Sequence, residues 1–186
     1  MFPEISLNIL DVVQNSVKAG AKLTTLECLV DTKADTLTVI IDDDGCGMTK
    51  EQVEAVTDPF FTTRTTRKVG LGVPFFKMAA ESTGGSFDIV SEKGVGTKVT
   101  CIFVLSSIDR MPLGDMVTTV HMLVTQSGDM DLVYHYRVDD NEFTLDTREF
   151  KEILGTDVSF SEPEVSAYIK DFLKENTDEV NAGQEF

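Results

Sequence analysis

Residues 35–42 alternate around Leu37, Val39 and Ile41 and run without a break into Asp42, Asp43, Asp44, Gly45, Cys46 and Gly47. Such alternation reads as a half-buried strand, and a strand cannot continue through an acidic run punctuated by two glycines. The chain must turn sharply there and present carboxylates at a strand end. Helical patterns lie on both sides of this turn, so the expected class is α/β or α+β.

The first helical pattern spans residues 5–18, where Ile5, Ile9, Leu10, Val13 and Val17 recur at helical spacing and Gly20 is placed to end the helix. On the opposite edge Asp11, Asn15 and Lys18 stand at i, i+4 and i+7, so three polar side chains line up on a helix that otherwise looks buried. A strand is expected over 22–31. Thr49 to Gln52 fits a capping box, opening a short helix that fades near Thr57. Residues 58–69 lack a period and gather Arg64, Arg67 and Lys68 among hydroxyl side chains, the pattern of a long mobile loop. Gly70, Leu71 and Gly72 then precede a helix over 73–82 with Pro74 in its first turn. Strands over 86–92 and 97–105 complete a sheet of about four strands with helices on one face.

Beyond residue 106, the sequence predicts strands over 117–125, 132–138 and 142–146, with a hairpin turn at Asp139-Asp140-Asn141-Glu142. Helices are expected over 147–154 and from Pro163 to about Glu175, opened by the capping signal at Ser161 to Glu164. The polar stretch 176–186 is expected to be disordered. The expected organisation is thus residues 1–107, a small acidic αβ module over 108–175, and a tail.

Charge separates these parts. The formal net charge of −16 is unevenly spread: residues 1–107 carry 10 basic and 14 acidic side chains, and residues 108–186 carry 6 and 18. That balance argues against nucleic-acid binding and against adsorption to anionic lipid, both of which need a cationic surface. No apolar run approaches a membrane span and the N-terminus lacks signal-peptide features, so a cytoplasmic location is expected. Cys28, Cys46 and Cys101 are odd in number and far apart, which suggests neither a disulfide framework nor a thiolate metal site.

Four elements suit one ligand, a nucleotide phosphate: the helix with Asn15, the aspartate-glycine turn, the basic loop and the Gly70/Gly72 helix start. Backbone N–H groups freed by glycines at a helix N-terminus favour an anion, and Arg64, Arg67 and Lys68 would add charge from above. Asn15 offers a single neutral oxygen of the kind that accompanies phosphate and water around Mg²⁺. Asp11, one turn before it, could take a proton from an attacking water. A calcium loop is the rival reading of the acidic turn. Asp42, Asp44, Gly45 and Glu51 match four of its positions, but Ile40 occupies the first and the preceding segment reads as strand.

The segments LDVVQNSVKAGA, DDDGCGM, DPFFTTRTTRKVGLGVPFFK and GVGTKVTCIF, in this order, resemble the four boxes of the GHKL superfamily, the histidine kinase-like ATPases that include gyrase, heat-shock-90 chaperones and mismatch-repair ATPases. The resemblance covers about residues 5–105 and implies the Bergerat two-layer α/β sandwich, a mainly antiparallel mixed sheet with helices on one face, with ATP beneath a lid. It implies that Asn15 ligates Mg²⁺, that Lys18 lies near the phosphates, and that Asp43 accepts the adenine amino group. Gly45 and Gly47 would form the turn beneath the base, Gly70 and Gly72 would touch phosphate, and Thr97 would support the adenine site through water.

Two departures qualify it. Asp11 stands where hydrolytic members carry Glu, and no helix with a phosphoacceptor histidine precedes the first box, so a self-contained histidine kinase is not expected. His121 and His135 are the only histidines, and both fall in strand-like segments. In size the chain resembles free-standing anti-sigma serine kinases, which points to a kinase or phosphotransfer-type regulator with a protein partner or substrate. NSVKAGA resembles the mismatch-repair box, which points instead to an ATP-gated switch that could form a homodimer. The stretch IDRMPLGDM resembles a linker in short proteins encoded near hydrogenase subunits, which suggests a nucleotide-sensing adaptor of a redox complex. The acidic second part is expected to offer an interaction surface to a basic partner.

Overall fold

Strand alternation sets the architecture. In β1 (Leu23–Asp31) and β2 (Thr36–Asp43), every second side chain is buried, including Leu26, Cys28, Val30, Leu37, Val39 and Ile41. Those side chains form one face of a sheet, and helices must cover it. The computed structural model describes residues 4–58, 72–155 and 159–186. Its remaining elements, in chain order, are α1 (Ile5–Lys18), α2 (Lys50–Thr57), α3 (Gly72–Ser82), β3 (Ser86–Glu92), β4 (Gly96–Val104), α4 (Met116–Gln126), β5 (Asp131–Val138), β6 (Asn141–Asp146), α5 (Thr147–Leu154) and α6 (Pro163–Asn181).

The sheet has six strands in the order β3-β4-β2-β1-β5-β6. Every pairing is antiparallel except β1 with β5, which run parallel with Leu26 opposite Tyr134. The expected two-layer sandwich with a mainly antiparallel mixed sheet is therefore what the chain adopts. Ile5, Ile9, Val12 and Val13 of α1 and Phe76 and Ala80 of α3 share one buried cluster with Leu26, Val39 and Phe103. Truncating one of these fully buried side chains, as in Ile9→Ala, is expected to cost about 2–5 kcal/mol.

The strands after residue 106 add to this sheet. Leu132, Tyr134, Leu145, Val120, Ile169 and Leu173 belong to the same buried cluster as the helices of the first part. The connecting segment is tied down as well: Pro112 O and Leu113 O accept from Ile5 N and Ser6 N at 3.0 and 2.8 Å, satisfying two of the donors a helix start leaves open.

Three expectations are corrected. Residues 117–125 are not a strand but part of α4. Their β-branched content reads as strand, yet Met116, Thr119, Val120, Leu123 and Val124 are buried at helical spacing, and Asp115 caps the helix by accepting from Thr118 N at 2.8 Å. Residues 176–181 are helical, because α6 continues to Asn181 with Val180 buried against the core. Beyond them Phe186 packs against that core, and its carbonyl accepts from Leu113 N at 2.8 Å. Thr49 and Gln52 form the expected reciprocal capping box, and Gly20 follows α1 with φ +73°. The capping signal expected at Ser161 to Glu164 is not realised, because Glu162 stands at the N-cap of α6 and no side chain caps it. The loop expected over 58–69 lies, beyond Asp58, outside the described residues.

Candidate functional site

The polar edge of α1 faces the end of β2. Between them lies a cavity of about 380 Å³ whose walls are apolar, from Val12, Ile41, Val56, Val73, Ile89 and Val99. Asn15, Lys18, Asp43 and Thr97 also line it. A small apolar cleft with a few fixed polar groups is the usual form of a cofactor site.

Asp43 is held from two sides. Ser16 donates its hydroxyl to Oδ2 at 2.6 Å, and Gly45 N donates to Oδ1 at 2.9 Å. Each carboxylate oxygen keeps a further lone pair, so Asp43 remains an acceptor toward the cavity. Gly47 allows the turn that follows. Its φ is +59°, and a Cβ there would lie 1.9 Å from the Glu92 carbonyl oxygen, so no other residue fits without moving backbone.

Thr97 is oriented by Ser91. Ser91 Oγ accepts from Met48 N at 2.9 Å and donates its one proton to Gly96 O at 2.9 Å. The 2.8 Å contact between Ser91 Oγ and Thr97 Oγ1 is then donated by Thr97, which leaves the threonine oxygen free to accept. Neither Ser16 nor Ser91 is marked by the sequence pattern, since a serine inside a helix or strand carries no periodic signal.

The acidic turn divides into separate tasks. Asp44 Oδ1 accepts from Lys22 N at 2.7 Å and Leu23 N at 2.9 Å, pinning the turn to the start of β1. These N–H groups, Leu23 first, hold its carboxyl below the usual carboxylate range. Asp42 lies 3.9 Å from Lys98. The calcium reading fails here, since no cluster of three or more metal-binding side chains occurs among the described residues.

Asn15 and Lys18, on either side of Ser16 in α1, line the same cavity and make no side-chain hydrogen bond or ion pair among the described residues. Asp11 abuts the start of α3: a Cβ on Gly72 would lie 2.0 Å from its Oδ2. The structure thus brings Asn15, Lys18, Asp43, Gly47 and Thr97 around one cleft, while Asp11 and Gly72 meet each other but are not among the residues that line it. Arg64, Arg67, Lys68 and Gly70 lie outside the described residues.

The histidines are elsewhere. His121 sits in helix α4, where Nε2 meets Ser166 Oγ at 2.8 Å, and not in the expected strand. His135 is on β5 as expected, between Glu142 at 2.9 Å and Glu27 at 3.7 Å. Of the cysteines, Cys46 is exposed and lines the cavity, whereas Cys28 and Cys101 are buried. No helix among the described residues is long and apolar enough to cross a membrane.

Residues 4–107 match the family model described as histidine kinase-, DNA gyrase B- and HSP90-like ATPase. A protein of Shewanella frigidimarina named as a sensor protein is 29% identical over 103 residues, 54% of this chain and 16% of the relative. One of Rickettsia conorii, named as a sensor histidine kinase NtrY-like, is 26% identical over 106 residues, 57% of this chain and 17% of its own length. The chain thus spans about a sixth of these relatives. Among solved structures, the N-terminal domain of a DNA repair protein aligns with 96% of this chain and 57% of its own, with a TM-score of 0.55 at 11% identity, a likeness of fold.

Proposed function

Because the chain belongs to the histidine kinase-, DNA gyrase B- and HSP90-like ATPases, we propose that the cleft between α1 and the β2 turn binds ATP with Mg²⁺. We further propose that the protein is a stand-alone kinase or phosphotransfer-type regulator that acts on a partner. The observation that carries this reading is Asp43, fixed by Ser16 and Gly45 and lining an apolar slot whose other polar side chains include Asn15 and Lys18.

The donor set fits the group. Asp43 would accept from the adenine amino group, Thr97 would accept from a water against the ring, and the valine and isoleucine walls would exclude solvent from it. Asn15 would hold the metal through its side-chain oxygen, and Lys18 and the α3 N-terminus would face the phosphates. The metal, when bound, would neutralise charge on the phosphate oxygens. Arg64, Arg67, Lys68 and Gly70 complete the proposed set. Residues 1–107 would then serve the nucleotide and residues 108–175 the partner, two roles carried on one sheet.

A second reading is an ATP-gated switch with slow hydrolysis. Asp11 favours it, because it lies against Gly72 and its side chain is one methylene shorter than the glutamate of hydrolytic members. Titration of ATP with and without Mg²⁺ tests the site itself. The wild type is expected to saturate, and Asn15→Ala to lose the Mg²⁺-dependent part of the affinity. Absence of saturable binding at millimolar nucleotide overturns the whole reading, and unchanged Mg²⁺ dependence in Asn15→Ala removes its metal role. Label transferred from γ-labelled ATP to a co-purified protein is the result expected of the kinase. Release of ADP with no labelled protein selects the switch.

A further inference from the structure

Far from the cleft, aromatic rings form a continuous file from the core to the surface. Tyr136 and Phe143 have centroids 6.1 Å apart, Phe143 and Phe172 6.3 Å, Phe172 and Phe150 5.6 Å, and Phe150 and Tyr168 6.1 Å. Tyr136 is 1% exposed, whereas Tyr168 is 58% exposed. Ile153, one turn beyond Phe150 on α5, is 82% exposed. The file thus reaches the surface where Phe150 of α5 meets Tyr168 of α6, and Tyr168 and Ile153 are turned to water there. An exposed apolar face set in a polar rim marks an interaction site.

The rim states the chemistry of the occupant. Glu149 and Glu152 lie within one turn of Ile153, and Glu164 and Asp171 within one turn of Tyr168, all exposed. The two cations of α5 are engaged elsewhere: Arg148 grips Asp146 with contacts of 2.9 and 2.6 Å, and Lys151 reaches Asp131 at 2.6 Å. On α6, Lys174 lies 3.6 Å from Asp178, and the helix carries five acids against two lysines. A second copy of this face would bring acids against acids, and phosphate-bearing lipid or nucleic acid would be repelled for the same reason.

We propose that the α5–α6 face centred on Ile153 and Tyr168 docks a basic amphipathic segment of a partner protein, apolar side chains against the rings and lysine or arginine against the rim. The aromatic file holds Tyr168 in place before binding, so little ordering is lost at that anchor. This surface stands independently of the nucleotide site.

Fluorescence anisotropy on the full chain tests it with a labelled helical peptide of leucine and lysine about four turns long. Two controls of the same length replace lysine by glutamate or leucine by serine. The leucine-lysine peptide should bind about tenfold or more tighter than either control and weaken with added salt. Ile153→Ser with Tyr168→Ser should weaken it about tenfold, and so should Glu149→Lys with Asp171→Lys, with melting temperatures retained because all four side chains are exposed. Equal binding of the lysine-serine peptide overturns the apolar anchors, and equal binding of the leucine-glutamate peptide overturns the rim. Wild-type affinity in either double variant overturns the location. Adsorption to phosphatidylserine vesicles, or a concentration-dependent dimer lost in the Ile153→Ser, Tyr168→Ser variant, assigns the face to a different occupant and overturns the proposal.

Discussion

The Ser16 hydroxyl donates a 2.6 Å hydrogen bond to Asp43, joining the last turn of α1 to the last residue of β2 across 27 positions of sequence. Ser16 is 3% exposed, so its proton has no water to turn to. The bond fixes the plane of the carboxylate and stiffens the back of the cleft. Ser16→Ala should therefore weaken ATP binding through Asp43. A hydrogen bond to a charged group of about 1.5 kcal/mol corresponds to roughly tenfold in Kd. Calorimetric titration checks this, and an unchanged Kd would show that Asp43 needs no such support.

Gly72 and Asp11 should be coupled in stability. Alanine is the better helix former by about 1 kcal/mol, so propensity alone predicts that Gly72→Ala stabilises α3. The close approach of Asp11 predicts the reverse, because the new methyl would meet its carboxylate oxygen at 2.0 Å. In an Asp11→Ala background the sign should return to stabilising, a coupling of about 1 kcal/mol or more by thermal melts. Additive effects would mean that α3 shifts to make room.

Thiol chemistry should single out Cys46. Burial pushes the Cys28 and Cys101 thiols up and out of reach of reagent, leaving one exposed cysteine of the three. Ellman's reagent should release one equivalent from the native protein and three after denaturation. Since Cys46 lines the cleft, saturating ATP should slow the native reaction. No protection would place the nucleotide elsewhere.

Acid should loosen the turn at Asp44. Its folded carboxyl lies below the unfolded value, so its stabilising contribution is present above the unfolded value and is lost as pH falls through the folded one. The loss begins as pH falls to about 4 and is complete only below the folded value. Asp44→Asn should flatten that limb of a stability-against-pH curve measured by urea titration. A limb of unchanged steepness would assign acid sensitivity to other carboxylates, with Asp139, held low by Thr32 N–H, the next to test.

What could be read in advance was whatever repeats locally. The α1 stripe, the strand into the aspartate turn and the Thr49 capping box each carry their signal within a few residues, and each folds as expected. Ser16 and Ser91 could not be read, because their partners lie on other elements and a hydroxyl is compatible with almost any position. Helix α4 misleads for a different reason. Val117, Thr118, Thr119, Val120 and Val124 favour strand in isolation, and only the surface offered by α1, β5 and α6 decides otherwise. The continuation of the sheet past residue 107 was equally hidden, since pairing β5 with β1 joins residues more than 100 positions apart.

That pairing also decides where this protein can be divided. β1 lies between β2 and β5, so its outer row of backbone donors and acceptors is filled by residues 131–138. A chain cut after residue 107 would retain the four family boxes but leave a nine-residue strand with an open, untwinned ladder. Open edges of that kind recruit copies of themselves. The β5–β6 hairpin thus closes the edge of β1, and truncation after residue 107 is expected to yield self-associating material, which light scattering would detect.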